Sequence, residues 1–159
     1  RLATLSDLDK ILDIYACARE FMKNTGNPTQ WKDSEPSKET LINDIENKNL
    51  YVIEENEIVA AFAFIIGFDA TYSYIENGEW LSDEIYGAIH RIASNGKVKG
   101  VFSTVISYCE ATIKHLRIDT HKDNKIMQHL ISEHGFKKCG IIYTSDNTPR
   151  IAYEKIAEN

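Results

Sequence analysis

From Ile58 to Ile66 the chain reads Ile-Val-Ala-Ala-Phe-Ala-Phe-Ile-Ile, with no polar side chain. A strand with one wet face alternates apolar and polar residues, because successive side chains point to opposite faces. An unbroken apolar run therefore marks a strand covered on both faces. A sheet with material packed on either side is the first constraint on this fold. Leu50 to Glu54 precedes the run, and Glu55-Asn56-Glu57 between them signals a hairpin.

The rest of the chain alternates helical and extended patterns around that strand. Ser6 reads as a helix N-cap, followed by a 3.6-residue stripe at Leu8, Ile11, Leu12, Tyr15, Ala18 and Met22, and Gly26-Asn27-Pro28 ends it. Trp31 stands alone in a polar loop, and Ser37 starts a shorter helix through Leu41, Ile42 and Ile45. Asp69 to Glu84, with Tyr72, Tyr74 and Trp80 among acidic residues, is too long for a turn and reads as a functional excursion or lid. Ile85 to Ser94 reads as a strand, and Gly100 opens a helix with its stripe at Val101, Phe102, Val105, Ile106, Cys109 and Ile113. Leu116 to Asp119 is a short strand, and Asp123-Asn124 caps a further helix that Gly135 closes. Cys139 to Tyr143 and Arg150 to Lys155 are the last two strands. The order predicts a mixed-sheet α/β layer fold, and 159 residues without a repeat or linker predict a single domain over 1–159.

Composition narrows the function. A net charge of −6 argues against a bulk nucleic-acid surface. No run approaches the ~20 apolar residues of a membrane span, so neither nucleic acid nor membrane is an expected partner. The three cysteines are odd in number, far apart and without metal-ligand spacing. They read as small buried hydrophobes in a reducing cytosol, with no metal expected and a cytoplasmic location as the default.

One segment carries chemistry. Asn95-Gly96-Lys97-Val98-Lys99-Gly100-Val101-Phe102-Ser103 joins a strand to a helix. The first N–H groups of a helix lack internal acceptors, and the helix dipole adds roughly half a positive charge there. Glycines allow close approach of a phosphate, and Lys97 and Lys99 add positive charge in an acidic chain. Gly100 is followed by Val101 rather than Lys-Ser/Thr, which disfavours a nucleoside-triphosphate loop, and the three glycines of a dinucleotide fingerprint are missing. From spacing alone, an anion site and a plain strand-to-helix turn weigh about equally.

Ile89 to Phe136 resembles the acetyl-CoA core of the GNAT acetyltransferases. The family's pyrophosphate loop reads Gln/Arg-x-x-Gly-x-Gly/Ala, and Lys97-Val98-Lys99-Gly100-Val101-Phe102 matches its first glycine, with Lys at the first position and Phe at the last. The family's next helix reads Asn-x-x-Ala-x-x-Leu-Tyr-x-x-x-Gly-Phe, and Asn124, Leu130, Gly135 and Phe136 fall at those offsets. The resemblance implies a mostly antiparallel mixed sheet with helices on both faces and a splayed central strand pair. It implies acetyl-CoA as co-substrate, with pantetheine beside Ile92, Ala93 and Ser94. The pyrophosphate would lie on Gly100, Val101, Phe102 and Ser103, with Asn124 at the pantetheine arm and Lys97, Lys99 or Lys122 near the adenosine phosphate.

Amine acetylation needs a route for the ammonium proton, a donor to the oxyanion and an acid for the thiolate. His90, on the strand that the resemblance sets beside the cofactor, is the first choice as base or relay, with a structural role as its rival. Tyr143 is a second relay or donor, and His121 a weaker one. The family's usual acid, a helix tyrosine four residues before the glycine, is replaced by Ile131. Trp31, Tyr72, Tyr74 and Trp80 with nearby acids would suit a cationic small-molecule amine or a peptide acceptor, or else they are loop packing. Ile131 and Phe102 motivate a second reading, a non-catalytic acyl-CoA sensor on the same scaffold. Nothing in the sequence excludes a homodimer.

Overall fold

The structure is a computed structural model that describes residues 1–32 and 34–158. Among these, four α-helices and six strands follow one another as α1 (Leu8–Asn24), α2 (Lys38–Glu46), β1 (Leu50–Glu55), β2 (Glu57–Ile66), β3 (Gly87–Ser94), α3 (Val101–Thr112), β4 (His115–Thr120), α4 (Lys125–Glu133), β5 (Lys137–Tyr143) and β6 (Pro149–Ile156). The strands form one open sheet in the order β1-β2-β3-β4-β6-β5. Its pairs are antiparallel for β1–β2, β4–β6 and β5–β6 and parallel for β3–β4. The mixed, mostly antiparallel α/β fold expected from the sequence is what forms. The last strand inserts between β4 and β5, an order that no local pattern announces.

Residues 1–64 and 90–102 make one compact unit, and 65–89 with 103–159 make another. In the first, α1 buries Ile11, Ile14, Tyr15 and Ala18, one stripe at three- and four-residue spacing. Full burial of a side chain such as Ile11 contributes about 1.5–3 kcal/mol. The start of α1 differs from expectation: a 3-10 turn at Leu5–Asp7 precedes it. There Asp7 Oδ2 accepts the Thr4 N–H at 2.8 Å, which moves the cap upstream of Ser6. In α2, Ser37 Oγ accepts the Thr40 N–H at 3.1 Å as the sequence predicts. β1 and β2 join at Asn56, whose φ of 62° lies in the left-handed region a tight hairpin needs. Every residue from Ile58 to Phe64 is buried, as the apolar run predicts, but its end departs from that expectation: Ile65 is half-buried and Ile66 exposed.

The second unit is built on β4, β6 and β5. Asn124 Oδ1 accepts the Met127 N–H at 3.0 Å and caps α4, and Gly135 at φ 84° ends that helix. Cys109 and Cys139 are buried, and burial pushes the Cys109 thiol up to about 12. Cys17, on α1, is exposed. The excursion read as a lid is fastened down along its length. Glu76 exchanges backbone hydrogen bonds with Ile141 of β5 at 3.0 and 2.8 Å. Gly78 lies so close to β5 that a Cβ there would come 1.8 Å from the Cys139 carbonyl oxygen.

Candidate active site

In the first unit the candidate cofactor segment starts with a bend. Arg91, in the middle of β3, has φ 54°, a left-handed conformation that costs a non-glycine residue roughly 1–2 kcal/mol. Tyr15 Oη, fully buried on α1, donates to the Arg91 carbonyl at 2.6 Å. Arg91 donates from Nε and Nη2 to the two carboxylate oxygens of Asp44 at 2.9 and 3.0 Å. Burial pushes the Asp44 carboxyl up, against the pull of the Arg91 charge and, more weakly, of His90. His90, Ile92 and Ser94 are half-buried and Ala93 is buried. Trp31 is buried against Tyr15, with ring centroids 5.6 Å apart.

Beyond β3 the turn is organised by its own side chains. Ser94 Oγ accepts the Gly96 N–H and Asn95 Oδ1 accepts the Lys97 N–H, both at 3.0 Å. Gly100 has φ 75° with nothing within 4 Å of the place a Cβ would take. Its glycine thus answers a backbone requirement rather than a lack of room. α3 then begins at Val101, and the Phe102 side chain is buried rather than spread over the helix start. Lys97 Nζ pairs with Glu57 at 2.6 Å, which raises the lysine's pKa, while Lys99 is exposed.

The other candidates lie in the second unit. His134 Nδ1 donates to the Leu130 carbonyl at 2.8 Å, and its Nε2 is hydrogen-bonded to Ser103 Oγ at 2.7 Å. Tyr143 Oη donates to Glu76, which holds the phenol's pKa up, and Tyr74 Oη donates to the other Glu76 oxygen at 3.1 Å. Tyr72 is buried and donates to Asp119 at 2.6 Å, and Trp80 Nε1 donates to the Tyr72 carbonyl at 2.9 Å. His121 is buried with Nδ1 accepting the Asp123 N–H at 3.1 Å. Ile131 is fully buried.

Sequence reading missed a second cluster here. Glu154, wholly buried, accepts from His115 Nε2 at 2.6 Å, from Arg117 Nε at 2.7 Å and from the Leu81 N–H. The Arg117 guanidinium lies 4.0 Å from the ring centroids of both Trp80 and Tyr86 and donates to the Ser82 carbonyl at 2.7 Å. The signal available in the sequence was a charged residue set beside apolar ones in each strand, Arg117 between Leu116 and Ile118 and Glu154 after Ala152 and Tyr153. For Asp44 it was an acid on the buried face of α2, between Leu41 and Ile45.

No protein-family model matches the sequence, and no curated relative does. Solved structures do. A GNAT-family acetyltransferase from Streptococcus agalactiae superposes with a TM-score of 0.90 at 31% identity, over 100% of this chain and 95% of that one. The chain belongs to the GNAT family. A structure from Staphylococcus aureus Mu50 follows at 29% identity and TM-score 0.69, over 98% and 97% of the two chains. A ribosomal-protein-alanine N-acetyltransferase from Brucella melitensis shares the fold at 17% identity and TM-score 0.62, over 99% and 98%.

Membership makes this GNAT protein an acetyltransferase by family, and GNAT acetyltransferases use acetyl-CoA. Among the described residues no group of three His, Cys, Asp or Glu side chains could hold a metal. No described helix is long and apolar enough to cross a membrane.

Proposed function

We propose that residues 1–159 act as one N-acetyltransferase domain that moves the acetyl group of acetyl-CoA to a primary amine by direct attack in a ternary complex. The observation that carries this reading is the strand–turn–helix passage from β3 to α3. Its left-handed Gly100, buried Phe102 side chain and helix start suit a pyrophosphate. Lys97 and Lys99 add positive charge, although Lys97 already serves Glu57. Ile92, Ala93, Ser94, Val101 and Ser103 would hold the cofactor along this passage, with Asn124 as a further contact. The Asn124 side-chain oxygen is the cap of α4, which fixes the side chain at the start of that helix.

His90 takes the ammonium proton in this reading. Tyr143 offers the departing thiolate a proton, since a phenol is protonated near neutral pH, although the Glu76 hydrogen bond that raises its pKa makes it a weaker acid. That hydroxyl now donates to Glu76, so serving the thiolate requires Tyr143 to exchange one acceptor for another. Tyr74 and Glu76 are an aromatic and an acid in contact, a pairing that suits a cationic amine. Trp31, Tyr72 and Trp80 would shape the acceptor region from buried or half-buried positions. Small amines and peptide N-termini are the acceptor classes, and a homodimer is compatible with either.

Release of free thiol from acetyl-CoA, measured over a panel of small amines and peptide N-termini, tests the reading. His90→Ala should lower kcat by about 100-fold, the usual weight of a general base, while acetyl-CoA affinity stays nearly intact. An unchanged pH–rate profile in that variant removes His90 from the mechanism. Ile131, fully buried where the family places its acid, favours a second reading, a non-catalytic acyl-CoA sensor. Tight acetyl-CoA binding with no transfer to any amine would establish that one instead.

A further inference from the structure

Arg91 is the one residue of β3 with a positive φ, and it lies between His90 and the Ile92–Ser94 stretch. A left-handed residue inside a strand shifts the alternation of the residues after it, as a bulge does. Were Arg91 to relax into the regular pleat, the amides of Ile92 to Ser94 would turn to the opposite edge of the strand. Glycine is the residue that tolerates this conformation without cost, and the chain has arginine there.

Two side chains from two helices hold Arg91 in place. Its carbonyl takes the Tyr15 hydroxyl, and its guanidinium is gripped at both oxygens of Asp44. Both anchors are buried. Tyr15 is fully buried with Trp31 tilted against its ring, and Asp44 lies between the buried Leu41 and Ile45 on α2. As a source of stability this is a poor arrangement. Burial pushes the Asp44 carboxyl up, and the cost of desolvating an ion pair offsets much of its attraction. What a two-point guanidinium–carboxylate contact supplies is fixed geometry.

We infer that Tyr15 and Asp44 are positioning residues for acetyl transfer: they hold Arg91 in the left-handed conformation that aims Ile92 to Ser94 at the cofactor and sets the His90 ring. The inference rests on the acetyl-CoA reading above. Neither residue touches the reacting atoms; both act through Arg91.

Arg91→Ala and Arg91→Gly separate this role from plain anchoring of α2. Both variants lose the ion pair equally, and only glycine accepts the left-handed backbone. Affinity for coenzyme A, read by calorimetry, should fall by about tenfold in Arg91→Ala, the scale of the left-handed penalty. Arg91→Gly should stay within about threefold of the unaltered protein, because its backbone pays no such penalty. Tyr15→Phe should weaken binding when residue 91 is arginine and add little when it is glycine. Equal loss of affinity in the Ala and Gly variants, or equal loss of melting temperature with affinity unchanged in both, overturns the positioning role. Absence of coenzyme A binding by the unaltered protein would bring down the acetyl-CoA reading itself, and the positioning role with it.

Discussion

Each unit of the molecule contains a buried arginine–carboxylate pair, Asp44 with Arg91 in the first and Glu154 with Arg117 in the second. The chemistry is the same and the surroundings are not. Arg91 keeps 24% of its side chain exposed, and its guanidinium pairs with Asp44 while its own carbonyl takes the Tyr15 hydroxyl. Arg117 keeps 5%, lies between two aromatic rings and shares Glu154 with His115. His115 Nδ1 faces the Ile85 carbonyl at 3.1 Å, which accepts and cannot donate. One proton must therefore lie between His115 Nε2 and Glu154. The excursion feeds this cluster with the Leu81 N–H, the Ser82 carbonyl and the Trp80 ring, and Ile85 directly after it adds its carbonyl. One pair fixes a torsion; the other nails down a segment that its composition suggests should be loose.

The largest expected effect tests that difference directly. Glu154→Ala strands the buried Arg117 cation and takes the acceptor from His115 and the Leu81 N–H, and should cost about 3–5 kcal/mol, the scale for breaking a buried pair from one side. Asp44→Ala strands one cation that still reaches water, and should cost about 1–3 kcal/mol. Urea unfolding of the two variants measures both. Equal losses would mean that the exposure of the arginine does not decide the cost, and the contrast drawn here would fail.

Glycines sharpen the comparison at a smaller scale. Gly78→Ala in the second unit drives a methyl against the Cys139 carbonyl and should cost about 1–3 kcal/mol through overpacking. Gly96→Ala in the first unit meets nothing within 4 Å, but φ is 77°, so its cost should be about 1 kcal/mol and come from the backbone alone. Asparagine, which tolerates left-handed φ, should recover part of the loss at 96 and none at 78. Recovery at both positions would show that room is not what limits residue 78.

What the sequence makes legible follows the range of the forces involved. Ser37, Asn124 and Gly135 act on backbone groups a few residues away, and each does what its local pattern implies. The apolar run of β2 is legible because double-sided burial leaves no polar position. Arg91 is not legible, since its conformation is enforced by Tyr15 and Asp44, 76 and 47 residues away in sequence. The excursion was expected to be a lid because aromatic and acidic residues look the same in a loose loop as in a fastened one. The fastening lies in partners such as Ile141 and Asp119, far along the chain. Cys17 was expected to be buried, although it lies off the stripe of Ile11, Ile14, Tyr15 and Ala18 that the helix period defines, and it is exposed.

The smallest effect is a pH dependence expected from His121 in the second unit. His121 follows β4, and burial lowers its pKa against the opposing pull of Asp123, with Arg150 and Lys122 lowering it further. The ring is neutral in the fold, and its Nδ1 accepts the Asp123 N–H, which a protonated ring could not do. In the unfolded chain the same histidine titrates near 6.5. Between the lowered folded value and about 6.5 the unfolded state binds more protons, so stability is lost as pH falls through that window. Hydrogen exchange should therefore show the end of β4 and the start of α4 losing protection on acidification before the first unit, whose one histidine is the half-buried His90. His121→Asn keeps an acceptor for Asp123 without the titration, and should flatten the loss. A loss that persists unchanged in that variant would trace the acid sensitivity to another group, leaving His121 with a packing role only.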